Sequence, residues 1–562
     1  MKKIISIFTG LLLLAGCAGF LDEDNKSGIS NDELYSTAVG YETLMAASYS
    51  TLRTVYRNTP WLLLGGTDLY QKAPTASGAN LNMYEYVSLY PNNTNVRDFY
   101  RNCYSAIQTV NAALYYNDFP KDMDDHTRAT YKSELRFLRA FYHFILVEQF
   151  GGVPINDEIT LSPRLNMPRN TLTECYDFII GEIEDCMGEL GQSTVARVNK
   201  DVANHYLAKI YLTRGWDMNR ADDFNKAKSY AQKVFDSRGE INLTYEALWS
   251  WQNENNPEII FAVQYDVTSL SSNTNGHIQQ ALFCPQMDGT ASRSKSTTRE
   301  LNIAWAIHKW YPENDARYEN SFMLTCYERY FDYYLVEDKS TLAVQAYYPR
   351  LWGRPWTAED AEEWLKTHTP QPASSGTFRI RPFIEDNEDE YRRFNNEPWW
   401  TPPVKKFDSP ASPDFSMASS TASVRDIVLA RLGETYYLYA EACIGLNDFA
   451  TATAYVQKII DRPGNALSGS LPNALQGATN REEALHGYLI ESGKEFLGEY
   501  NGRWPELRRT GMLKFMLERY NYDIQHLGVT LDFNNKYNLR PIPEDAIVLN
   551  DGISETDQNP GY

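Results

Sequence analysis

Between Ser133 and Phe150 apolar side chains recur at three- and four-residue steps: Leu135, Leu138, Phe141, Tyr142, Ile145 and Leu146. That spacing buries one broad stripe of a helix. Gly151–Gly152 can take the left-handed conformation that ends a helix, and Pro154 forbids its resumption. The same period predicts helices over 31–56, 96–116, 127–150, 171–190, 200–215 and 224–237, then again over 424–445, 449–462, 481–499, 503–509 and 512–519. Residues 58–96 break the pattern with Pro60, Gly65–Gly66, Pro74, Gly78 and Pro91. The stretch 240–425 is rich in Trp, Pro, Ser and Asn, and only short pieces such as 258–265 read as strand. A loop region of that length inside a helical protein points to function.

One internal repeat stands out. FNKAKSYAQKVFD (224–236) and FATATAYVQKIID (449–461) agree in register at Phe, Ala, Tyr, Gln, Lys and Asp. Each follows a helix that ends on glycine, Gly215 or Gly445. Helix–turn–helix units with small residues at the crossing points are tetratricopeptide-like. The fold class expected is all-α dominated: a scaffold of such hairpins carrying a long, irregular, loop-rich face.

Charge removes one class of partner. Lys and Arg total 53 against 73 Asp and Glu, a net charge of −20. Such a field repels phosphate backbones and no basic patch offsets it, so nucleic acid is excluded. Aromatic residues make up 13% of the chain, many of them in the loop-like stretches, which suits a surface that stacks on sugar rings.

The N-terminus adds a location. Lys2 and Lys3 precede an apolar run from Ile4 to Leu14, too short to span a membrane and built like a secretory signal. Leu14–Ala15–Gly16–Cys17 is similar to a bacterial lipobox, which implies cleavage after residue 16 and lipidation of Cys17. Several acyl chains on one residue give stable anchoring. Residues 1–16 are then a lipoprotein signal peptide and 17–30 an acidic tether. The body divides into 31–239 and 240–562, packed together. Among the six other cysteines no CxxC or Cys/His cluster appears, so no metal or cofactor is expected. Cys175 and Cys186, placed on one helix, lie roughly 16 Å apart by the helical rise, too far to bridge.

Several blocks, in order, resemble the SusD/RagB family. They are YSAIQTVN (104–111), the nearly complete "E.RFLRA.Y.F.LV..FGGVP" block of 134–154, the helix 201–212, WTPPVKKF (400–407), VLARLGETYYLYAEA (428–442), FLGEYNGRWPELRRTG (496–511), and 537–543 with the ending QNPGY. Departures are Gly433 for the usual Ala, Tyr500–Asn501 in the GEG turn and Pro505–Glu506 where an aromatic–Asp is usual. The resemblance covers the mature chain. It implies a non-catalytic, surface-exposed lipoprotein of the cell outer membrane that captures oligo- or polysaccharide and passes it to a partner TonB-dependent, SusC-like transporter.

By that resemblance the ligand site draws on 61–90 and about 276–310. The residues expected to stack on sugar are Tyr70, Tyr84 and Trp305. Those expected to hydrogen-bond are Asp68, Gln71, Asn80, Asn82 and Arg293. Two other classes compete. A glycosidase needs two carboxylates across one cleft, and no motif singles out such a pair; no GxSxG, HExxH, Walker A or GxGxxG occurs either. A tetratricopeptide-type scaffold binding a protein or peptide would use the same aromatic loops.

Overall fold

A computed structural model describes residues 30–562 except 58–60, 73–75, 192–193, 267–275, 284–300, 352–356, 371–378, 381–382, 385–400, 411–422 and 534. Cys17, the tether and Arg293 lie outside the described residues.

The first half is a set of antiparallel helices: α1 (Ala38–Tyr56), α2 (Gly78–Glu85), α3 (Thr94–Tyr116), α4 (Asp125–Phe150), α5 (Leu172–Glu184), α6 (Lys200–Asp217) and α7 (Ala221–Arg238). Asp124 caps α4, its carboxylate accepting from Thr127 N at 2.9 Å. Gly151, at φ 74°, closes the helix. The apolar stripe understates α4. From Ser133 to Phe150 it is buried almost all round, polar residues included. Those polar residues are paired: Glu134 with Arg197 at 2.6 Å, Arg139 with Glu182 at 2.6 Å. His143 is a core residue whose Nε2 accepts from Asn156 N, and burial pushes its pKa down to about 4.

The second half supplies α8 (Leu432–Gly445), α9 (Phe449–Ile460), α10 (Arg481–Glu495), α11 (Arg503–Arg509), α12 (Leu513–Tyr520), α13 (Tyr522–Gln525) and α14 (Glu544–Val548). The repeat is visible as two hairpins, α6–α7 and α8–α9. Both copies make the same helix-surface bond, Gln232 Nε2 to Asp236 Oδ1 and Gln457 Nε2 to Asp461 Oδ1, each 2.8 Å. The Phe224 ring locks the hairpins together: a Cβ added at Gly215 or at Gly445 would come within 2.8 Å of it. That is why glycine stands in the last turn of both first helices, at Gly215 two residues before the end of α6 and at Gly445 on the last residue of α8.

Strands are short, and those of three residues or more among the described residues are β1 (Tyr70–Lys72), β2 (Ile259–Val263), β3 (Leu301–Ile303), β4 (Thr325–Tyr327), β5 (Ala343–Tyr347) and β6 (Ile427–Arg431). The strand-like 258–265 is β2, antiparallel to β6 in the register Ile427↔Val263. The expected helix 424–445 is therefore strand up to Arg431 and helix only from Leu432. Tertiary pairing of the apolar, partly β-branched Ile427–Leu429 run with β2 overrides the helical pattern. One continuous core takes side chains from both halves, including Leu138, Tyr206, Phe261 and Tyr437.

Within 240–562 runs a buried charge network. Arg431 meets Glu499 at 2.8 Å, Glu495 at 3.0 Å and Glu258 at 3.1 Å. Arg462 reaches Glu258, Arg317 reaches Asp315 and Glu495, and Lys406 reaches Glu499. Burial opposes ionisation of Glu495, yet Arg431, Arg462 and Arg317 outweigh it and hold its pKa down to about 2. This network fixes the loop-rich segments onto the helical frame.

Candidate functional site

The two segments singled out by sequence meet at one seam. β1 pairs antiparallel with β3, Tyr70 opposite Ile303, Gln71 opposite Asn302 and Lys72 opposite Leu301. Ala304 N continues the pairing by donating to Leu69 O at 2.8 Å. The C-terminal helices hold the seam in place. Asn521 Nδ2 donates to Thr67 O at 2.6 Å and to Tyr70 O at 3.2 Å, and Asp523 Oδ2 accepts from Lys72 N at 2.8 Å.

Most residues expected to touch ligand are in the frame beneath the seam. Asp68 is fully buried and takes a two-pronged ion pair from Arg503, 2.9 Å to Oδ1 and 2.6 Å to Oδ2. Tyr70 is fully buried, its hydroxyl accepting from Gly498 N at 2.7 Å and its ring 5.6 Å from that of Phe283. Tyr84 packs edge-on against Trp61 at 6.3 Å. Tyr84, Trp305 and Gln71 are 1%, 5% and 1% exposed. A ring so enclosed has no free face for a sugar, so as folded these residues shape the seam without lining its surface. Asn80 and Asn82 are half-buried on α2; Asn80 Oδ1 accepts from Asn95 Nδ2 at 2.9 Å.

The described rim above this frame consists of other side chains. Lys72 ion-pairs with Glu85 of α2 and remains 41% exposed. Asn302 is half-exposed opposite Gln71. On α13 the rings of Tyr522 and His526 stack at 3.5 Å. The rim thus combines a stacked ring pair with amide, ammonium and carboxylate groups, the donor set that recognises hydroxyl-rich ligands. Tyr522 and His526 were absent from the sequence expectation. The one local signal is the cap at Asn521, whose side chain accepts from Ile524 N at 3.2 Å.

A second aromatic cleft, about 180 Å³, lies between Trp249, Trp251 and Tyr333. Its polar groups are turned on one another: Tyr330 and Tyr334 both donate to Asp408 at 2.7 Å, and Lys405 donates to Tyr333 at 2.9 Å. Among the described residues no group of three His, Cys, Asp or Glu could hold a metal ion. Nor is any described helix long and apolar enough to cross a membrane. Cys103, Cys175, Cys186, Cys326 and Cys443 are buried free thiols. Cys186 lies beyond the end of α5, off the helix that carries Cys175.

Comparison with known proteins gives two family matches. Residues 19–212 match a family described as starch-binding associating with outer membrane, and residues 257–562 match the SusD family. Among curated proteins, a SusD-like protein of Bacteroides ovatus is 25% identical over 284 residues, 47% of this chain and 50% of that protein. The starch-binding protein SusD of Bacteroides thetaiotaomicron is 31% identical over 160 residues, 27% of this chain and 28% of that protein. The chain therefore spans half or less of these relatives' lengths. Among solved structures, a laminarin-binding SusD-like protein superposes with a TM-score of 0.65 at 19% identity, covering 94% of this chain and all of that one.

Proposed function

Because this chain belongs to the SusD/RagB family, we propose that it captures oligo- or polysaccharide at the outer-membrane surface, at the rim of the β1–β3 seam. In this reading Cys17 carries the lipid anchor, and the captured glycan is released to a SusC-like TonB-dependent transporter without chemical change. The observation that carries the site is the pairing of β1 with β3, which joins the two segments the resemblance points to. Tyr522 and His526 supply the stacking surface, and Lys72, Asn82, Glu85 and Asn302 take the hydroxyls. The starch binding and laminarin binding for which two of the similar proteins are named support the ligand class. A rigid helical frame under short polar rim elements suits reversible capture, since little ordering is needed on binding.

The test uses the soluble body from Ala18, run through native gels that each contain one polysaccharide, neutral or anionic. Retardation by one polysaccharide, lost in Tyr522→Ala while the variant still unfolds cooperatively, supports the reading. Retardation that survives Tyr522→Ala and His526→Ala moves the site elsewhere. No retardation across a broad panel favours the scaffold alternative, a surface that binds a peptide.

A further inference from the structure

The cleft between Trp249, Trp251 and Tyr333 is assembled from 246–251, 320, 333–334, 405–408 and 425, none of which belongs to the seam. The short helix Tyr245–Trp249 opens on Thr244, whose hydroxyl accepts from Ala247 N at 3.1 Å, and it delivers both tryptophans at its far end. Arg425 ties the walls together. Its Nη2 donates to Trp249 O at 3.3 Å, its Nη1 to Asp408 O at 3.0 Å and its Nε to Glu254 Oε1 at 2.6 Å. Lys405 N donates to Ser321 O at 2.8 Å, which brings Asn320 to the same wall. A cleft so braced loses little freedom when it is filled.

Beside the groups that pair among themselves, the lining keeps others that do not. Among the described residues, three lining side chains make no hydrogen bond, ion pair or ring contact: the half-buried Trp251 indole, the half-buried Asn320 amide and the exposed Glu246 carboxylate. The Trp251 ring packs on neither hydrophobic core. The neighbouring rings are engaged. The Lys406 ammonium sits 4.4 Å from the Trp249 ring, and those of Lys339 and Lys405 lie over Tyr333 at 5.4 and 5.0 Å. Trp251 is thus the indole with a face to offer, and nothing in the fold accounts for it.

The charges of the lining select against an ion. Lys406 is paired with Glu499 and Arg425 with Glu254. With those partners counted, the cations Lys405, Lys406 and Arg425 meet the carboxylates Glu246, Asp408, Glu254 and Glu499, so no positive excess invites an anion. The space is about 180 Å³, roughly that of six water molecules, which admits one small ring and excludes a peptide or acyl chain. An open indole face beside an amide, a carboxylate and an ammonium suits a neutral pyranose: ring C–H groups lie on the indole, and hydroxyls donate to and accept from the polar groups.

We propose that this cleft is a second sugar-binding site, which holds one uncharged pyranose ring against Trp251 while Asn320, Glu246 and Lys405 take its hydroxyls. It extends the glycan reading to a new place on the molecule and does not rest on the seam, with which it shares no residue.

The test is saturation-transfer NMR on the whole soluble body carrying Tyr522→Ala, which takes the seam out of the measurement. The probes are methyl glucoside, methyl galactoside and methyl mannoside, beside glucuronate and galacturonate. One neutral pyranoside is expected to bind with a Kd of about 1–10 mM, the scale for a ring of about a dozen heavy atoms, and its uronate counterpart about fivefold more weakly. Adding Trp251→Ala or Asn320→Ala is expected to weaken the neutral sugar by about fivefold or more, with cooperative unfolding retained because neither side chain holds a partner. No binding by any neutral pyranoside overturns the proposal. So does binding unchanged by either added substitution, or tighter binding of the uronate. Failure of the seam is read separately, from polysaccharide retardation of the body with and without Tyr522→Ala.

Discussion

Asp68→Ala separates the frame from the site. Asp68 is fully buried, and its partner Arg503 is 3% exposed at the side chain. Removing one member of a buried, hydrogen-bonded pair costs about 3–5 kcal/mol, because the other charge stays in the interior unpaired. Arg503 keeps a second carboxylate, Glu506 at 2.7 Å, and also donates to Leu489 O at 3.0 Å, which places the loss near the lower end, about 3 kcal/mol. The pair joins positions 435 residues apart in sequence, so the loss falls on the docking of β1 against α11. The assay is the urea midpoint of the soluble body beside native-gel retardation at low temperature, where the variant is still folded. The expected result is a lowered midpoint with retardation retained. An unchanged midpoint with retardation abolished would refute the reasoning and return Asp68 to the ligand.

The remaining predictions concern packing and pH. Gly445→Ala drives a methyl group against the Phe224 ring and costs about 1–3 kcal/mol by overpacking, while Gly239→Ala, open in space but at φ 76°, costs only backbone strain; urea midpoints compare the two. His143 and His277 are both buried, with pKa values pushed from 6.5 to about 4. The unfolded chain takes up protons that these folded rings refuse, so their stabilisation is complete above pH 6.5 and is lost as pH falls toward 4, about 3 kcal/mol each. His143→Gln is expected to shrink the difference in urea midpoint between pH 7 and pH 4.5. Asp426 works in the opposite sense: burial raises its pKa to about 7, so its cost to the folded state grows as pH rises from about 4 to 7. Asp426→Asn is therefore expected to raise the unfolding free energy at pH 8 by about 1–3 kcal/mol, seen as a higher urea midpoint, and to leave it nearly unchanged at pH 4.

The helical frame was legible because its information is local and periodic. α4, the two hairpins and their shared Gln–Asp bond follow from spacing alone, and Gly215 and Gly445 already marked the crossing that Phe224 fills. β6 was read as helix because Val428–Arg431 run into α8 with no breaker; its partner β2 lies more than 160 residues earlier. The two segments expected to hold the site meet as β1 and β3, but a Gly- and Pro-broken stretch does not reveal which of its rings are buried. Tyr70, Tyr84 and Trp305 are buried by partners far along the chain, such as Gly498 for Tyr70. Tyr522 and His526 come to the rim only because Asn521 and Asp523 bind the backbone of 67–72, a contact no local pattern encodes.

The central claim, glycan capture at the β1–β3 seam, is tested most directly by amide hydrogen exchange on the soluble body with and without the polysaccharide that retards it. Slowed exchange confined to the amides around Lys72, Asn302 and 522–526, with the α6–α7 and α8–α9 hairpins unchanged, is the result expected. Protection on the hairpins with the seam unaffected would contradict the account and place the ligand on the helical scaffold.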